Sequence, residues 1–258
     1  MFVFAPIAWA QTDTFLCVIE SETRHATIDE VGNVYVVKDN RLQCYGINGK
    51  FKYEYNNKSM GEISSIDVTN QLKILVHYKE VPTIVFLDNT LTKRMEYKLE
   101  DYGLEQVLAA GVASNNGFWV YDNETYQIIK LNARGEEVVE SLNLFQMVGQ
   151  ELAPNQLIER NDKLFLIDES IGIMVFDLFG VFQRKIPLTG IKKIAMKDDN
   201  LFYYRDRICY TFNLNMLEEN KLINSSINEK NQTILDLNSA MILFYHKGLL
   251  KLFQLKTD

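Results

Sequence analysis

The chain has 258 residues, 47% of them hydrophobic and 24% charged, which supplies material for a large core and lies outside the range of disordered sequences. A formal net charge of −7 leaves no dominating basic stripe to displace counterions from a phosphate backbone, which argues against a nucleic-acid partner. Thirteen Tyr and fifteen Phe beside only four Pro favour strands, because aromatic rings pack well on a pleated, half-buried surface.

The first element is residues 1–10. Phe2-Val3-Phe4-Ala5-Pro6-Ile7 reads as the end of an apolar signal-peptide core, and Ala8-Trp9-Ala10 as a small-x-small cleavage site that makes Gln11 the mature start. The basic leader that precedes such a core is missing, and the competing reading is an apolar strand. The expectation is an exported protein, periplasmic rather than extracellular, whose residues 11–258 form one domain. Thr14-Phe15-Leu16-Cys17 lacks the small residues that precede a lipidated cysteine. No later stretch has the roughly 18 uncharged apolar residues of a membrane-spanning helix, so no transmembrane segment is expected.

Six aromatic-rich apolar runs then recur along the chain. They are Val34-Tyr35-Val36-Val37, Ile74-Leu75-Val76, Phe118-Trp119-Val120-Tyr121, Leu164-Phe165-Leu166-Ile167, Leu201-Phe202-Tyr203-Tyr204 and Ile242-Leu243-Phe244-Tyr245. Marked at Tyr35, Ile74, Trp119, Phe165, Phe202 and Leu243, they advance in steps of 39, 45, 46, 37 and 41 residues, the spacing of four-stranded propeller blades. Each run is followed by a second apolar strand, at 42–45, 84–87, 128–131, 173–176, 209–212 and 250–253. Asp88, Asn132, Asp177, Asn213 and Asn48-Gly49 end five of these strands, and such residues reverse a chain because they bond their own backbone or tolerate left-handed conformations. Shorter segments at 27–29, 65–67, 110–113, 157–159, 193–196 and 233–236 precede the runs as innermost strands.

The sixth unit has three strands and lacks an outer one, while residues 14–20 form a strand without a blade. Pairing the two closes the ring and protects its edges. The fold expected is therefore all-β, a six-bladed β-propeller whose last blade is closed by the N-terminal strand. Two packed β-sandwiches would show no common step, and an outer-membrane barrel would need strands of about ten residues with lipid-facing alternation.

The first unit carries a more specific pattern. Asp29, Gly32, Asn33, Tyr35 and Val36 fit D-x-x-G-N-x-Y-V, and Arg41 to Gly49 follow R-I-x-x-F-x-x-x-G. Residues 28–50 thus resemble the NHL-type propeller repeat, whereas later units keep the hydrophobic rhythm and lose most of the glycines. The resemblance implies a fold. Propellers of this kind include scaffolds, ligand-binding domains, lactonases and lyases, so it selects no activity.

In such a ring the inter-blade connectors and the turns between second and third strands share one face, where sites are sought. The connector 142–154 is long and apolar, and Phe145 and Met147 are its candidate partner contacts, with a short helix packed on blades three and four as the alternative. Tyr204, Arg205 and Arg207 are the second candidate group, since Tyr and Arg are enriched at interface hot spots. His25, His77 and His246 are the only histidines and the only candidates for a metal site, but they occupy different strands of different blades, whereas ligands must converge at about 2 Å from one ion. No metal or other cofactor is implied. Asp29, Asp67, Glu159 and Asp236 end the innermost strands on the opposite face and read as solvated turn formers. Cys17, Cys44 and Cys209, odd in number and set in apolar runs, read as buried thiols.

No nucleophile elbow, phosphate-cradling glycine loop or zinc-protease motif occurs, and no catalytic residue is assigned. The sequence thus points to a non-catalytic scaffold of the bacterial envelope that offers its connector face to another protein. A metal-dependent hydrolase or lyase of the lactonase type, and a small-ligand or carbohydrate-binding propeller, remain as alternatives. The oligomeric state is left open.

Overall fold

A computed structural model describes residues 14–23, 25–38, 40–222 and 232–255; the expected signal segment lies outside them. The described strands form six four-stranded antiparallel sheets. Strand β1 (Thr14–Glu20) comes first. Blade one holds β2 (Ala26–Ile28), β3 (Val34–Lys38), β4 (Arg41–Tyr45) and β5 (Phe51–Asn56). Blade two holds β6 (Ser65–Asp67), β7 (Ile74–Tyr78), β8 (Thr83–Leu87) and β9 (Lys93–Lys98). Blade three holds β10 (Val107–Val112), β11 (Phe118–Asp122), β12 (Gln127–Leu131) and β13 (Glu137–Glu140). A short helix α1 (Leu144–Val148) leads to blade four, β14 (Pro154–Arg160), β15 (Lys163–Asp168), β16 (Gly172–Asp177) and β17 (Phe182–Ile186). Blade five holds β18 (Ala195–Lys197), β19 (Asn200–Arg205), β20 (Ile208–Asn213) and β21 (Glu218–Leu222). Blade six holds β22 (Thr233–Leu237), β23 (Met241–His246) and β24 (Leu249–Gln254), and β1 is its fourth strand.

Each apolar run is the second strand of its blade, and its residues divide between the two neighbouring blades. Ile74, Val76 and Tyr78 pack with Tyr35 and Leu42 of blade one, while Leu75 packs with Phe118 and Val120 of blade three. Burial on both faces explains why these runs are continuously apolar rather than alternating. The core accordingly lies in wedges between neighbouring blades. The ring closes as the sequence requires: β1 pairs antiparallel with β24 from Thr14 opposite Gln254 to Glu20 opposite Leu249, with an irregularity between Phe15 and Cys17. Cys17 and Ile19 are buried against Val34 and Leu243. All three cysteines are buried and none forms a disulfide among the described residues.

The turn residues act as their chemistry predicts. Asp88 Oδ1 accepts the N–H groups of Thr90 and Thr92, Asn132 Oδ1 those of Arg134 and Glu136, and Asp177 Oδ1 those of Phe179 and Val181. Only β6 keeps the expected bounds of its inner strand; the other five shift by one to three residues at one or both ends. Residues 193–196 were expected in the fifth, but β18 begins at Ala195, because the Ile194 N–H donates to Gln156 Oε1 (2.8 Å) of blade four instead of to β19. The chain ahead of β18 is thereby drawn toward blade four.

Candidate functional site

The innermost strands enclose a channel of about 740 Å3, within the size range of small-molecule sites. Its wall is built from residues that each blade contributes at the same level, so charged side chains from different blades meet there.

The four strand-end carboxylates are placed otherwise than as solvated turn formers. Asp29 is 2% exposed and Asp236 5%, and three of the four reach a neighbouring blade. Asp67 Oδ2 accepts the Val112 N–H at 2.8 Å, Glu159 Oε1 that of Ser114 at 2.9 Å, and Asp236 Oδ2 that of Ile28 at 3.0 Å. Asp29 does form the expected turn, accepting the N–H groups of Val31 and Asn33, but with Tyr35 Oη donating to it from within the blade. The physical reason for the burial is that an inner strand presents N–H groups to the adjacent blade that no sheet partner satisfies, and a buried donor must find an acceptor. Glu159 also receives Trp119 Nε1 and lies 3.4 Å from Lys130 Nζ. Burial works to raise its carboxyl, yet the bonds from Ser114 and Trp119 and the Lys130 charge outweigh it and hold the group below the usual carboxylate range.

Within the channel, three blades meet through side chains. Lys193, just ahead of β18, reaches Asp236 Oδ2 of blade six at 2.7 Å and also donates to Thr27 Oγ1 of blade one, whose hydroxyl donates in turn to Asp236. Tyr204 lines the same channel, and its phenol is pushed up to about 12, first by burial and then by the Asp236 charge. Sequence reasoning missed Lys193, Thr27 and Asp236 as a set, because Thr27 and Asp236 come from opposite ends of the chain and only ring closure joins them. Their place on inner strands was the one available signal.

The partner-contact candidates divide between two regions. Leu144 of α1 is buried among Trp119, Leu152 and Leu166, while Leu142 (80% exposed), Phe145 (41%) and Met147 (37%) remain outside. The helix is closed at both ends: Asn143 accepts the Gln146 N–H, and Gly149, at φ 80°, donates to the Phe145 carbonyl. Phe145 stands 5.3 Å from the Tyr126 ring, centroid to centroid. In blade five, Tyr204 packs toward blade six, whereas Arg205 lies over the Tyr210 ring and pairs with Glu219 at 2.8 Å. Arg207 is exposed in the following turn.

The histidines stay apart. His77 is fully buried in β7, with Nδ1 3.4 Å from Ser65 Oγ and Nε2 without a partner; His25 is exposed ahead of β2, and His246 ends β23. Among the described residues no group of three or more His, Cys, Asp or Glu is gathered for a metal ion, and no helix is long and apolar enough to cross a membrane.

No family model and no curated protein sequence matches the chain. Solved structures do. The chain is similar to the WD40 domain of Neurospora crassa Pan2, with a TM-score of 0.67 and 9% identity over 97% of this chain and 98% of that one. It is similar to a streptogramin B lyase (0.60, 16% identity, 93% and 85% covered) and to virginiamycin B lyase from Staphylococcus aureus (0.62, 13% identity, 93% and 98% covered). At these identities the likeness establishes the propeller fold, in agreement with the repeat pattern and with the NHL-like first blade.

Proposed function

We propose that this propeller is a non-catalytic binding scaffold that presents its connector face to another protein in the envelope of a bacterium. The observation that carries the reading is α1. A helix of five residues, anchored by Leu144 and Val148 and capped at both ends, holds Leu142, Phe145 and Met147 in the open, and a fixed apolar knob loses little freedom when it is covered. The pair of Lys192, in an inter-blade connector, with Glu169, in a turn between second and third strands, suits a polar rim on that face. The envelope location is supported by the Ala8-Trp9-Ala10 cleavage pattern.

Crosslinking in the native host, followed by envelope fractionation, tests the reading. A discrete partner should be captured by the wild-type chain and lost from Phe145→Ser/Met147→Ser, with the melting midpoint of the variant unchanged. No specific product from the wild type, or the same product from the variant, counts against it.

A further inference from the structure

Asn-Gly occurs twice in the chain, at Asn48-Gly49 and at Asn116-Gly117. In this dipeptide the glycine nitrogen can turn on the asparagine side chain, because no Cβ screens it and its backbone bends freely. Both asparagines are exposed, so exposure does not separate them. Their hydrogen bonds do. Asn48 is held on both sides of the reacting pair: its Oδ1 accepts the Lys50 N–H at 3.1 Å, and the Gly49 N–H donates to the Gly46 carbonyl at 2.8 Å.

Asn116 lies in the turn from β10 to β11 and is held loosely. Its side chain makes no hydrogen bond among the described residues, and the Gly117 N–H reaches the Ser114 carbonyl only at 3.4 Å, beyond the usual range for such a bond. Asn115 and Asn116 both stand at φ 61°, a left-handed conformation that asparagine tolerates but does not favour. The turn also forms part of a joint between blades. Lys73, just ahead of β7 in blade two, donates to the Gly117 carbonyl at 2.8 Å. Gly117 has no room to shift on its other side, where an added Cβ would stand 2.3 Å from the Leu131 carbonyl oxygen.

We propose that Asn116 is a site of spontaneous modification, converting to aspartate and isoaspartate through attack by the Gly117 backbone nitrogen. That nitrogen gives up its proton and bonds to Asn116 Cγ, and the side-chain nitrogen leaves as ammonia, which closes a succinimide ring. Water then opens the ring. Cleavage of the new bond to Cγ gives aspartate, and cleavage of the original peptide bond gives isoaspartate. Attack requires the turn to open locally, and the Asn48 turn must first break bonds that the Asn116 turn lacks. Isoaspartate lengthens the backbone by a methylene immediately before Gly117, so it displaces the carbonyl that Lys73 holds and loosens the joint of blades two and three. The proposal is independent of the protein-binding reading.

Ageing of the purified full chain in neutral buffer, followed by peptide mapping with mass spectrometry and an enzymatic isoaspartate assay, provides the test. Position 116 should convert about tenfold or more faster than position 48 in the folded chain, since each hydrogen bond shifts such an opening by up to about tenfold. In urea, where neither turn exists, the two rates should converge. Equal rates in the folded chain, faster conversion at position 48, or a difference that persists in urea overturns the assignment. The aged, isoaspartate-bearing chain should also melt below Asn116→Asp, which adds the same charge and keeps the backbone length. Equal midpoints overturn the effect on the Lys73 joint.

Discussion

The Val112 N–H donates to Asp67 Oδ2 at 2.8 Å, so a carboxylate at the end of one blade's inner strand holds the end of the next blade's. Removing it leaves a donor between blades without an acceptor. Asp67→Ala should therefore lower the unfolding free energy by about 1–3 kcal/mol. Urea denaturation measures this, with exposed Asp101→Ala as the comparison, and equal losses in the two variants would refute an inter-blade role.

Gly111 sits where the inner strand of blade three passes close to that of blade four. A Cβ placed on it would stand 2.3 Å from the Leu157 carbonyl oxygen, and backbone on both sides cannot give way cheaply. Gly111→Ala should destabilise by roughly 1–3 kcal/mol, through overpacking rather than through backbone strain. A thermal midpoint equal to that of the wild type would show that the two strands can part.

His77 makes stability depend on pH. Burial, and secondarily the Lys79 charge, lower its folded pKa to about 3, whereas an unfolded histidine titrates near 6.5. Between these values the unfolded chain binds the extra proton, so the term is neutral above about pH 6.5 and increasingly destabilising as pH falls, by about 1.4 kcal/mol per unit. His77→Leu should be unaffected by this term. Urea midpoints at about pH 7.5 and about pH 5 should fall further for the wild type than for the variant, and parallel falls would remove His77 as a cause.

Loss of β1 should prevent closure of the ring. Deleting residues 11–20 strips β24 of its outer partner and opens the Leu243 and Val34 wedge to water. The truncated chain should not melt cooperatively, and an unchanged melting midpoint would contradict the pairing.

The period of the apolar runs was legible because both faces of each second strand are buried, which makes Phe118-Trp119-Val120-Tyr121 and its counterparts conspicuous. Closure was legible too, since 14–20 had no other sheet to join. The strand-end carboxylates were misread as solvated: the turn chemistry of Asp29 and Asp67 is local and visible, but the Val112 and Ser114 N–H groups that bury such residues belong to another blade. Tyr204 and Arg205 were read together because they are adjacent, yet successive strand residues face opposite ways, and one enters the channel while the other covers Tyr210. The Lys193 cluster lay beyond reach for the same reason, as it exists only where blades five, six and one meet.

The pairing of Thr14 with Gln254 also sets a schedule for synthesis. At about 5–20 residues per second, β1 leaves the ribosome on the order of ten seconds or more before β24 exists. Throughout that interval Cys17 and Ile19, buried in the finished ring, have no sheet to enter. The nascent chain therefore carries a sticky, unpartnered strand for most of its production, and its yield should respond to holdase chaperones more than that of a protein whose first strand pairs with its second.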